Sequence, residues 1–164
     1  MYRIIIYFLV IFGIFSCTGS SDQGSSPTIS FIGLSKNTLV QGIVATNDTI
    51  KITIQFEDSD GDLGFLPEEQ TGTFDVYVID NRTAETYDRY RLPHFPEQGA
   101  SNGVEGQIEF TLLSSCCIFP DGIPPCEAPE LYPTNEFTLG LYIVDRAGNQ
   151  SNTIETSSIT MFCD

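Results

Sequence analysis

Three aspartates at alternate positions, Asp58, Asp60 and Asp62, stand in the run Glu57-Asp-Ser-Asp-Gly-Asp-Leu-Gly64. When a loop curls, carboxylates at that spacing aim inward. Hard oxygen donors in such number suit Ca²⁺, which takes about six to eight. The competing reading is an acidic turn whose side chains bond nearby backbone N–H groups. Like charges this close repel one another unless they are solvated or neutralised. A second constellation is sulfur. Cys116, Cys117, Cys126 and Cys163 form an even set, which in an exported chain points to disulfides. A bond between the adjacent Cys116 and Cys117 is strained. That leaves Cys126 with one of them and Cys163 with the other. A four-cysteine zinc site competes, but it wants two separated Cys-x-x-Cys-like pairs, which this chain lacks.

Catalysis has little to work with. The single histidine, His94, lies in Leu92-Pro-His-Phe-Pro96 and reads as a loop residue. No nucleophile elbow, phosphate loop or histidine-rich metal cluster is present. The acids that could pair for glycoside hydrolysis crowd into one loop instead of flanking a cleft. An enzyme is not expected. The formal net charge of -15, from 22 acidic and 7 basic residues, offers no basic stripe to neutralise phosphates, so nucleic acid is not an expected partner. No polybasic patch is available for anionic lipid.

The elements that must position these residues are strands. Ile50, Ile52, Ile54 and Phe56 alternate with Thr49, Lys51, Thr53 and Gln55, the period of a half-buried strand. The same alternation predicts strands A 28–34, B 49–56, C 73–80, D 86–92, E 104–113, F 136–144 and G 153–161. In G the apolar register shifts between Ile154 and Ile159, so a bulge is expected. Seven short strands separated by Gly, Pro, Asn and Asp loops predict a single all-β, antiparallel sandwich over 28–164. In that arrangement the B–C, D–E and F–G loops share one end with the start of strand A. Asp145, in the F–G loop, then faces Asp58, Asp60 and Asp62, either as a further ligand or as the cap of its own turn. The E–F loop and the end of strand G share the other end, which brings Cys163 to the other cysteines.

Two resemblances add to this reading. Met1-Tyr-Arg3, the apolar run Ile4–Phe15 and Ile14-Phe-Ser-Cys17 resemble the signal peptide and lipobox of bacterial lipoproteins, with Phe15 departing from the usual pattern. The resemblance implies cleavage after residue 16 and acyl chains on Cys17 that anchor the chain to a membrane. Residues 17–27 follow as a lipidated cysteine and a Ser/Gly-rich tether. Ten such residues reach roughly 17–19 Å. Leu141-Tyr-Ile-Val-Asp145-Arg-Ala-Gly-Asn149 is similar to the final hairpin of bacterial immunoglobulin-like domains, and the loops resemble those of Bacteroidota lipoproteins. The acidic run overlaps the first part of an EF-hand loop, with Glu69 at its twelfth position. Leu63, however, takes the sixth, where glycine is needed, and no helix flanks it, so an EF-hand is not expected. A loop resembling those at the ends of cadherin-like domains fits better.

These readings imply a lipid-anchored module of the cell envelope, on the outer membrane, that binds a protein or glycan and is stabilised by Ca²⁺. The alternative is a structural accessory subunit of an envelope complex with no small ligand. The loop Phe119-Pro-Asp-Gly-Ile-Pro-Pro-Cys126-Ala-Pro-Glu-Leu-Tyr-Pro133 is long and rich in proline and apolar residues. Phe119, Ile123, Leu131 and Tyr132 are its candidate contact residues. They either stand out as a preorganised surface or fold back as a lid on the core.

Overall fold

The structure, a computed structural model, describes residues 26–42, 48–66, 68, 72–95, 103–120 and 122–163. Residues 1–16, the lipidation candidate Cys17, the tether up to residue 25 and Glu69 lie outside that set. Among the described residues the fold is all-β, with no α-helix. In chain order the strands are β1 (Thr28–Leu34), β2 (Thr38–Val40), β3 (Thr49–Asp58), β4 (Val76–Asp80) and β5 (Glu85–Tyr90). They continue with β6 (Val104–Leu113), β7 (Thr134–Phe137), β8 (Leu139–Ile143), β9 (Ile154–Glu155) and β10 (Ile159–Phe162).

One sheet has the order β1-β3-β6, a second β2-β10-β7 and a third β5-β4-β8-β9. β7 and β8 are one run broken only at Thr138, so the second and third sheets form one continuous layer. The two layers close on a single core. β3 contributes Ile50, Ile52, Ile54 and Phe56, and β6 contributes Phe110 and Leu112. Val76, Val78, Leu139, Leu141, Ile143, Ile159 and Met161 face them. This arrangement is consistent with a β-sandwich. Alternation explains it: in an extended chain every second side chain points to one face, so a period-two run of isoleucines makes one apolar surface.

β1 and β6 fall where alternation predicts. β3 runs two residues further than its apolar period, to Asp58, and its ladder with β6 ends at Asp58↔Val104. β4 begins at Val76, later than expected, and β5 is Glu85–Tyr90. The register shift expected in the last strand appears as a break between β9 and β10. One strand was not anticipated. β2 pairs parallel with β10, Thr38 opposite Thr160 and Val40 opposite Phe162, so the chain after β1 crosses to the other layer.

The open edge of β6 is covered from the opposite layer. The Tyr87 hydroxyl donates to the Leu113 carbonyl at 2.9 Å. The Tyr90 hydroxyl lies 3.0 Å from the Thr111 carbonyl and 2.8 Å from an Asp88 carboxylate oxygen, and its one proton serves one of them at a time.

Candidate functional sites

Strand parity decides where the acidic end points. Asp58 continues the inward series Ile50, Ile52, Ile54, Phe56, so its carboxyl is directed at the interior and the residue is 3% exposed. Asp58 Oδ2 accepts the Asp62 N–H at 3.0 Å, while Oδ1 is buried with no hydrogen-bond partner among the described residues. Asp62 behaves alike. Its Oδ2 accepts the Ala147 N–H at 3.1 Å, and its Oδ1 is buried without a partner. Asp60 is exposed, and one carboxylate oxygen from each of Asp58, Asp60 and Asp62 lies within 4.8 Å of the others. Burial, then the neighbouring Asp60 carboxyl, pushes the Asp58 carboxyl up to about 7. Asp62 is also raised, first by burial and then by the charges of Asp145 and Asp60.

The loop carrying these groups is rigidly held. Leu63 is fully buried, and its carbonyl accepts the Phe95 N–H at 3.3 Å. Gly64 has φ +75°, and a Cβ there would sit 2.2 Å from the Pro93 carbonyl oxygen. A Cβ on Gly103 would meet the Asp58 carbonyl oxygen at 2.4 Å. The two strand-end loops therefore touch backbone to backbone at positions only glycine fits.

Asp145 is fully buried. Its Oδ1 accepts the Asn149 N–H at 2.7 Å and its Oδ2 the Asn149 side-chain N–H at 2.8 Å. It caps the F–G turn and stands outside the group of three. Its turn nonetheless meets the B–C loop, where the Arg146 N–H donates to the Asp62 carbonyl at 3.2 Å. The Arg146 guanidinium donates to His94 Nδ1 at 2.9 Å. A guanidinium has only donors, so Nδ1 is the acceptor and His94 is a clip between loops. Sequence reasoning read His94 only as a loop residue and gave Arg146 no role, because nothing in their spacing marks the contact.

At the opposite end Cys116 pairs with Cys126 and Cys117 with Cys163, the second bond pinning the end of β10. The four contact candidates divide. Phe119 packs against the core and lies 6.1 Å from the Tyr132 ring, while Ile123 is half-buried. Leu131 is 77% exposed. The large apolar side chains exposed among the described residues are Ile32, Val40, Leu113, Ile118, Leu131 and Phe162, and all but Ile32 lie at this stapled end.

A further aromatic and cationic group covers the outer face of the β5-β4-β8-β9 sheet. Arg89 and Arg91 both stack over Phe74, at 4.5 and 4.9 Å, and Tyr77 stacks on Tyr142 at 4.8 Å. Beside it Asp75 is fully buried, with one oxygen accepting the Leu92 N–H at 2.7 Å and the other without a partner among the described residues.

No family model matches the chain, and no characterised protein or solved structure matches it significantly.

Proposed function

We propose that the chain is a lipid-anchored module of the bacterial cell envelope, immunoglobulin-like in type, that binds a protein partner through the end remote from its anchor. One observation carries this reading: among the described residues, five of the six exposed large apolar side chains gather at the disulfide-stapled end, while β1 begins at the other. Exposed apolar surface is normally dispersed, and a concentration of it marks a contact site. Two disulfides fix the loop before any partner arrives, which lowers the ordering cost of binding. Without tryptophan, and with Phe119 and Tyr132 packed together, the surface suits a protein better than a sugar ring.

Two measurements test it. Cys17→Ser should abolish incorporation of labelled palmitate and release the chain from the membrane fraction. A photo-crosslinking residue at Leu131 should trap a discrete protein in intact cells, where one at Gln107, exposed mid-strand, does not. Equal labelling from both positions, or none from Leu131, overturns the assignment of the contact end.

A further inference from the structure

We infer that Asp58, Asp60 and Asp62 form a Ca²⁺ site at the tether end of the fold, and that the bound ion fastens the B–C loop against the F–G turn. The ion would bind independently of whatever the distal end contacts.

Strand parity sends Asp58 inward, and its buried Oδ1 has no donor in reach among the described residues. A carboxylate oxygen left so is costly in a folded protein unless a proton, a water or a cation meets it. The other oxygens are already held. Asp58 Oδ2 and Asp62 Oδ2 are each held by a backbone N–H, from Asp62 and Ala147. Oδ1 of each is left buried without a donor. Oxygens of one Ca²⁺ shell sit about 2.3–2.6 Å from the ion, so none can be more than roughly 5 Å apart. One oxygen from each of the three aspartates meets that limit, all within 4.8 Å. A scaffold that fixes one oxygen of a carboxylate by a backbone bond and turns the other inward is preorganised for a cation.

The donor set selects the ion. All three side-chain donors are carboxylate oxygens, and the nearby histidine is held by Arg146, so a nitrogen- or sulfur-seeking metal is not favoured. Asp60 is exposed, which leaves one side of the site open to water and suits an ion with large, flexible coordination better than the strict octahedron of Mg²⁺. Asp145 is a positioning residue. By capping the turn through Asn149 it holds the Ala147 N–H where Asp62 receives it.

The test uses oxidised protein stripped with chelator, titrated with Ca²⁺ alone in a calorimeter and melted with and without it. Binding should release or absorb heat with one saturable site, and Ca²⁺ at about a hundredfold over its Kd should raise Tm by several degrees. Asp60→Asn, at an exposed position, should weaken Ca²⁺ at least about tenfold without lowering the Tm in chelator. Glu105→Gln, a nearby exposed acid, should change neither. Trypsin cleavage after Arg146 reads the coupling, and Ca²⁺ should slow it in the parent and not in Asp60→Asn. Absence of binding, a shift reproduced by NaCl at equal ionic strength, or an unchanged response in Asp60→Asn overturns the site. Binding without protection at Arg146 overturns the fastening of the two loops.

Discussion

The Ala147 N–H donates to Asp62 Oδ2 at 3.1 Å, joining residues 85 positions apart in the chain. Asp62→Asn keeps an acceptor there and removes a charge from a crowded group. Asp62→Ala removes both. In chelator the asparagine variant should therefore be more stable than the alanine variant by about 1 kcal/mol, the usual net worth of such a bond. Urea denaturation of the pair checks this, and equal stabilities would show that the bond contributes nothing.

The two disulfides close loops of different length, with sequence separations of 10 and 46 residues. On the chain-entropy view, removing Cys117–Cys163 should cost about 4 kcal/mol and removing Cys116–Cys126 about 3. Double serine variants of each pair, unfolded in urea, give the comparison. The longer bond should prove the larger loss.

Tyr87→Phe deletes the hydroxyl that reaches the Leu113 carbonyl and the Ser115 side chain. A loss of about 1 kcal/mol is expected. The variant should also associate more readily at high concentration, because a bare strand edge is a template for pairing. Light scattering against the parent protein reads the second effect.

Gly64→Ala meets two obstacles at once, a φ of +75° and the Pro93 oxygen at 2.2 Å from the new Cβ. Roughly 2–4 kcal/mol should be lost. Gly122 has a similar φ of +73° but open space around it, so Gly122→Ala should cost only about 1 kcal/mol. Near-equal losses would mean that the close approach to Pro93 relaxes freely.

Burial raises the Asp75 carboxyl above its ordinary 3.8, against the pull of the Leu92 N–H and of Arg91. The folded state therefore holds this proton more tightly than the unfolded chain. The stability it contributes is complete below about pH 4 and is lost as pH rises through the folded value. Asp75→Asn should flatten that part of the stability profile and gain most at neutral pH. An unchanged slope between pH 4 and 7 would place the ionised Asp75 in an adequately solvated setting.

Much of the framework can be read from alternation, because β3 and β6 each bury one face and leave the other wet. What escapes is what depends on the third dimension. β2 is three residues long, too short to show a period, and it exists because β10 offers it a ladder. The apolar period of β3 stops at Phe56, so the inward direction of Asp58 is hidden until the strand is seen to continue. The spacing of Asp58, Asp60 and Asp62 is plain in the sequence. The fate of Asp145 is not, since Asn149 competes for its oxygens only once the turn has closed. The hydroxyls of Tyr87 and Tyr90 give no sign of the edge they cover, because strand order is not written locally.

The crossing of the first strand has a mechanical consequence. A load drawn from Thr28 toward the stapled loop runs nearly along the strand axes. It must slide β1 past β3 and β2 past β10, straining the bonds of each ladder together instead of peeling them singly. The strand that β2 grips is itself tied through Cys163 to Cys117, so the force passes into a covalent link before the last ladder can slip. A chain built this way should resist pulling from its two ends far better than pulling across its sheets.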